Sequence, residues 1–237
     1  MAEEFGESVS SERIEPRGWK AGPLDPAAIV RHLTHELRQP LSTIESIGYY
    51  LQMVLPTSDT KARHQLGKLQ QAIEQASWIL SDAVHFLQSS PPKPELVDLD
   101  EMVSGAVSDF LRGHPVWVDV DLAQAPTLVE VDPDHFRHLL RTLLYFFRRV
   151  THAGKRIAVR TRASDEGVSV ELETAEVPYT AQDIEMMFDP FGSHLPAGSG
   201  LALASVVRIT ESHGGRLECR LDGGDRLTVR VILPAAG

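Results

Sequence analysis

Cysteine occurs once in the 237 residues, at Cys219, so the chain cannot close an internal disulfide and its composition suits a reducing compartment. Long apolar runs are missing as well, and none reaches the length needed to span a bilayer. A basic face is the third absence. The formal charge is −10 at pH 7, which argues against a sequence-independent grip on nucleic acid. No basic amphipathic stretch suggests a membrane surface. The opening MAEEFGESVSSER is acidic and polar, unlike the basic-then-apolar order of a signal peptide. These absences predict a soluble cytoplasmic protein with neither nucleic acid nor membrane as partner. What is present is an ordinary apolar fraction, 42%, on a chain with room for about two domains.

Residues 1–23 mix charge, Ser, Gly and Pro without periodicity and read as a disordered tail, with Trp19 as its one docking candidate. A helical pattern then starts abruptly. Asp25 reads as an N-cap and Pro26 as the first helical residue. Leu33, Leu37, Leu41, Ile44, Gly48 and Leu51 recur at spacings of four and three, as one seam. Leu55 to Thr60 supplies turn chemistry. A second seam runs through Leu66, Leu69, Ile73, Ala76, Leu80, Ala83 and Leu87. Residues 24–89 are therefore expected to form an antiparallel helical hairpin. Alone it would leave its seam wet. A second copy could cover it, as a four-helix bundle across a two-fold axis, or the following domain could pack over it.

The prolines of Ser89-Ser-Pro-Pro-Lys-Pro94 make a linker. Beyond it, helices are expected near 99–112, 132–150 and 200–214. Strands are expected near 116–121, 156–163, 167–173, 215–221 and 226–233, the last two joined by an Asp222-Gly-Gly-Asp225 hairpin. One mixed sheet with helices on one face accounts for this order. The fold class is α+β, a helical hairpin followed by an α/β sandwich over residues 95–237.

Within the first helix, His35 lies about 160° from Leu33 and Leu37 and so points away from the seam, with His32 and Gln39 on its face. Pro40 sits inside the apolar periodicity, where it cannot donate to the Glu36 carbonyl. A neutral imidazole can attack phosphorus while a carboxylate such as Glu36 holds its other nitrogen. By spacing alone, an exposed histidine on a kinked coiled coil is the simpler explanation of the pattern.

His35-Glu-Leu-Arg-Gln-Pro-Leu41, preceded by Leu33-Thr34 and followed by Ser42-Thr-Ile44, resembles the H-box of sensor histidine kinases. That resemblance implies a dimerisation and histidine-phosphotransfer hairpin with His35 as phosphoacceptor and Glu36 as acid/base or orienting residue. Gln39 takes the position that, in many members, positions water to dephosphorylate a response regulator. Residues 95–235 resemble the ATP-binding domain of the same kinases. Val131-Asp-Pro-Asp134 with Leu139, Leu140, Leu143 and Leu144 is similar to the N-box helix. Phe188-Asp-Pro-Phe191 is similar to the F-box. Gly198-Ser-Gly-Leu-Ala-Leu203 is similar to the second glycine box, whose Gly198 and Gly200 let backbone N–H groups approach phosphates.

The departures fall on nucleotide chemistry. Phe146 stands at the N-box position of a Mg²⁺-holding asparagine, and Thr142 at the earlier one. The chain contains no asparagine at all, so no local shift restores it. Thr174-Ala-Glu-Val-Pro178 replaces the first glycine box. Thr174 lacks the adenine-recognising aspartate's charge, and Glu176 and Pro178 stand for its glycines. Mg·ATP binding is therefore not expected, and no cofactor or metal site is assigned. His135 and His138 form an i, i+3 pair without a third ligand and read as a solvated helix face. Tyr145 to Phe147 read as core or interface. Ser199 lacks a G-x-S-x-G elbow.

The expectation is a phosphotransfer protein that carries a phosphoryl group on His35. It would exchange that group with the receiver aspartate of a response regulator, with a partner histidine kinase as a further candidate and homodimerisation through residues 24–89. The alternatives are an active divergent kinase, which alone would use Mg·ATP, and a non-phosphorylated pseudokinase scaffold. No sensor domain is recognised, so input is expected through a partner or the N-terminal tail.

Overall fold

The computed structural model describes residues 26–87, 91–113, 116–189, 199–223 and 225–236. The expected N-terminal tail, Trp19, Asp25, Gly198 and most of the Phe188–Ala197 segment lie outside them. The elements are α1 (Pro26–Val54), α2 (Thr60–Leu87), β1 (Glu95–Asp98), α3 (Leu99–Gly113), β2 (Trp117–Asp121), β3 (Leu128–Val131) and α4 (Pro133–Val150). They continue with β4 (Arg156–Ser164), β5 (Gly167–Thr174), α5 (Ala181–Glu185), α6 (Ser199–Ser212), β6 (Arg216–Asp222) and β7 (Arg226–Leu233).

Helix α1 starts at its proline and continues through Pro40. The connection to α2 is fixed by polar groups. Asp59 Oδ1 accepts from the Ala62 N–H at 3.0 Å and caps α2. Arg63 reaches back to donate to the Gln52 and Leu55 carbonyls, both at 3.2 Å, at the end of α1 where helical partners run out.

The expected α1 seam is split between two faces. Thr34 and Gly48 are buried and Leu41 is half-buried, a seven-residue repeat facing α2. Leu33, Leu37 and Ile44 are exposed, together with Ile47 and Val54. At 100° per residue the stripe spans about 80° of the helix, and only its Leu41–Gly48 edge turns inward, leaving Leu33, Leu37 and Ile44 outside. On α2, Leu66 and Ile73 are buried while Leu69 stays exposed.

Two sheets replace the expected single one. A five-stranded mixed sheet runs β2-β4-β5-β7-β6, and β1 pairs antiparallel with β3 in a separate two-stranded ladder. Only β2–β4 is parallel. Both β1 and β3 are four residues long, too short for alternation to announce them. In the larger sheet one set of alternate positions is apolar throughout. Ile157, Val159, Val168, Val170, Leu172, Leu227, Val229 and Val231 point into one core with the apolar faces of α3, α4 and α6. The alternate positions include Arg160, Glu171, Glu173 and Arg230, and Arg160 pairs with Glu171 and Glu173 across the strands, each at 3.1 Å. One apolar and one charged face put all the packed helices on one side.

Candidate functional site

The acceptor turn is open. His35, Glu36 and Gln39 are all exposed on α1. Glu36 lies 3.7 Å from His32 Nε2, one turn back, and not against His35. Thr34 is buried and returns its hydroxyl to the Val30 carbonyl at 2.7 Å, anchoring the turn against α2. His35 therefore projects from a helix whose neighbouring residue is locked.

Of the positions expected to bear on a nucleotide, Thr174 is tied to the C-terminal end of α4. Thr151, the C-cap of α4, donates to the Phe147 carbonyl at 2.6 Å and meets the Thr174 hydroxyl at 3.0 Å. Thr174 is buried at the end of β5 and donates to the Arg156 carbonyl at 3.2 Å. Its side chain is thus engaged within the fold. Glu176 sits at φ 62°, the left-handed conformation that glycine adopts freely. The turn has a glycine-like backbone under a glutamate side chain, which pairs with Lys155. Gly200 is buried in the first turn of α6, which packs on α4.

Phe146 and Phe147 are both 0% exposed and meet edge to face, ring centroids 5.7 Å apart. Phe146 offers a hard cation no donor atom, where Mg²⁺ demands oxygen. Thr142 is buried too, and its hydroxyl has no hydrogen-bond partner among the described residues. Those residues hold no cluster of three or more His, Cys, Asp or Glu suited to a metal ion.

The histidine pair on α4 is not a solvated face. His138 is 4% exposed, and its Nε2 lies 3.2 Å from Asp82 Oδ1 on α2, itself 0% exposed. Burial pushes the imidazole down to about 3, with the charges of Arg141 and His135 adding to it. Arg141 approaches His138 Nδ1 at 3.5 Å. A guanidinium only donates, so Nδ1 accepts and the ring proton belongs on Nε2, facing Asp82. A neutral imidazole thus lies between a cation and a carboxylate. Sequence could not show this, because Asp82 and His138 lie on different domains and neither belongs to a recognisable pattern.

The contact continues along both helices. Tyr145 stacks on Trp78 at 6.5 Å, Arg149 lies over the Trp78 ring at 5.4 Å, and Arg148 pairs with Glu74 at 3.2 Å. Helix α6 also packs directly against α2. Elsewhere, His213 fastens α4 to the end of α6. Its Nδ1–H donates to the Ile209 carbonyl at 2.7 Å, and its Nε2 accepts from the Asp132 N–H at 3.0 Å. Asp132 in turn caps α4 through the Asp134 and His135 N–H groups.

Residues 131–237 match the family described as histidine kinase-, DNA gyrase B- and HSP90-like ATPase. Sensor histidine kinase ZraS of Klebsiella oxytoca is 27% identical over 213 residues, covering 86% of this chain and 45% of that protein. Sensor histidine kinase MtrB of Mycobacterium bovis is 25% identical over 218 residues, covering 85% of this chain and 38% of that protein. The chain spans less than half the length of these relatives. Among solved structures, the Acinetobacter baumannii histidine kinase AdeS superposes with a TM-score of 0.55 at 19% identity, over 86% of this chain and 98% of that one. Full-length ShkA in complex with AMPPNP gives 0.58 at 19% identity, over 89% and 47%. No described helix is long and apolar enough to cross a membrane. Residues 131–237 thus form a histidine-kinase-type ATPase domain, a helical hairpin bearing His35 precedes it, and most of the chain is similar to sensor histidine kinases.

Proposed function

We propose that this chain is a histidine phosphotransfer protein, exchanging a phosphoryl group between His35 and the receiver aspartate of a response regulator without using ATP of its own. The observation that carries this reading is the pairing of an exposed His35 with a fully buried Phe146 at the metal position of the N-box. In the forward step a neutral His35 ring nitrogen attacks the phosphorus of the receiver's aspartyl phosphate. A P–N bond forms as the P–O bond breaks, and the carboxylate leaves with the electron pair, assisted by the receiver's own Mg²⁺. The reverse step returns the group. Glu36 and Gln39 lie on the same open turn, placed to orient the ring and a water once a receiver covers them.

The exposed Leu33, Leu37, Ile44, Ile47 and Val54 stripe supports homodimerisation through the hairpin, since so much apolar surface on one helix face favours a partner. Incubating the protein with a phosphorylated receiver should label His35 and leave His35→Ala unlabelled. Failure with every receiver encoded alongside it would refute the proposal.

An active kinase is the second reading, favoured by the ATPase-family match and by the glycine-like backbone kept at Glu176. It requires Mg·ATP binding. Calorimetric titration to millimolar Mg·ATP should give no heat if phosphotransfer is the function, and saturable heat if the chain is a kinase.

A further inference from the structure

Helix α4 does not close flush on the hairpin. Between α1 and α4, with α2 as its floor, runs a cleft of about 760 Å³ whose walls carry Arg38 and Glu45 from α1 and Arg141 and Arg148 from α4. Arg148 is taken by Glu74 at 3.2 Å. Arg38 and Arg141 are both exposed and pair with no carboxylate among the described residues. Arg141 reaches Ser81 Oγ on α2 and His138 Nδ1, each at 3.5 Å, beyond the usual range of about 2.7–3.2 Å for an N–H donor. A guanidinium carries more N–H donors than two such contacts use.

The hairpin's register places this end of the cleft. Gly48 lies against Leu66 and Gln70, so the antiparallel pairing puts His35 level with about residue 81 of α2. Ser81 is the α2 residue that Arg141 reaches. Around α1, His35 stands about 60° from Arg38 and roughly 4.5 Å along the axis. The exposed acceptor therefore stands at the mouth of the cleft, level with an arginine of α4 and one turn from an arginine of its own helix.

We propose that Arg141, carried by the ATPase-type domain, is a catalytic residue whose guanidinium grips the phosphoryl oxygens at His35, across the cleft mouth from Arg38. The inference rests on the phosphotransfer reading of His35, and it gives the domain a task that needs no nucleotide. A phosphoryl group brings about two negative charges on its acceptor oxygens, and a guanidinium fork meets two such oxygens at once. The cleft's own acids stand away from its mouth: Glu74 is taken by Arg148, and Glu45 sits about 10 Å along α1 from Arg38. Glu36, next to His35 in sequence, lies against His32. As phosphorus moves between His35 and the receiver aspartate, charge stays on the non-bridging oxygens, where Arg141 donates.

The test charges the full chain with phosphoramidate, which needs neither a receiver nor ATP. A neutral His35 nitrogen attacks phosphorus; the new P–N bond forms as the bond to ammonia breaks, and ammonia leaves with the electron pair. Phosphorus NMR and site-resolved mass spectrometry follow His35, with the exposed His152 as internal reference. His35 should charge faster than His152. Arg141→Ala should slow His35 about tenfold, the worth of a charge-assisted hydrogen bond, and leave His152 unchanged. Arg141→Lys should recover part of the rate, and millimolar guanidinium ion should do the same for Arg141→Ala. Free guanidinium cannot repair a displaced helix, so its rescue separates contact with the phosphoryl group from a structural role. Circular dichroism checks that each variant keeps its helix content. Equal charging of His35 and His152 in the unaltered chain, an unchanged rate in Arg141→Ala, or a loss that neither lysine nor guanidinium relieves would overturn the proposal. Charging that follows this pattern, with nothing passed to any receiver, would support Arg141 and sink the phosphotransfer reading, so the two fail separately.

Discussion

Replacing Phe146 tests whether this position has become core. The side chain is 0% exposed and packs edge to face on an equally buried Phe147. Truncation to alanine removes a phenyl whose burial is worth about 2–3 kcal/mol. The hole left behind, on the order of 100 Å³ before relaxation, adds about 2 kcal/mol at ~24 cal/mol per Å³. Loss of the aromatic pair adds a fraction of a further ~1 kcal/mol. Partial collapse of the site returns some of this, so Phe146→Ala should lose about 3–5 kcal/mol in urea denaturation. Phe146→Asn supplies the residue type that the N-box resemblance implies, but its amide enters an apolar core where each unmet polar group costs about 1–3 kcal/mol. It should be no more stable than the alanine variant. Millimolar Mg·ATP should raise neither midpoint, since a ligand stabilises only the state that binds it. A loss under about 1 kcal/mol for both variants would refute the core assignment. A nucleotide-dependent rise for Phe146→Asn would show that the chain binds Mg·ATP once residue 146 is polar.

Gly215→Ala should lose about 1–3 kcal/mol of thermal or chemical stability, because the new Cβ would stand 2.5 Å from the Ile232 carbonyl oxygen and 3.0 Å from Leu233 Cδ2. An unchanged midpoint would mean that β7 yields more easily than its ladder suggests. Burial pushes the Cys219 thiol up from 9.0 to about 12. At pH 8 its thiolate population should fall about a thousandfold, so alkylation of the native protein should be far slower than in denaturant. Comparable rates in the two states would contradict that environment. Because the folded thiol holds its proton longer than the unfolded one, the same shift predicts stability that is full below pH 9 and declines as pH rises through the interval towards 12.

Much of the sandwich was legible because its patterns are local. The α4 stripe from Phe136 to Val150 and the alternation of β4, β5 and β7 each carry their period within one element, so boundaries read from sequence agree with the structure to a residue or two. Four-residue strands such as β1 and β3 hold too few residues for a period. The hairpin shows a different limit. Leu33 and Thr34 are adjacent, and only packing reveals that the threonine faces α2 while the leucine is left outside. Periodicity favours the more apolar residue, whereas a close helix–helix approach can favour the smaller one.

His138 marks the boundary between the two kinds of knowledge. The sequence by itself determined that a histidine-bearing hairpin precedes an ATPase-type domain, because H-box chemistry and strand alternation are written in contiguous residues. It also determined that asparagine is absent from α4. Only the tertiary structure decided where the domain rests. Asp82 and His138 are 56 residues apart and meet because α4 lies antiparallel to α2. A buried polar contact between domains has no sequence period, since it is specified by two surfaces and not by either one.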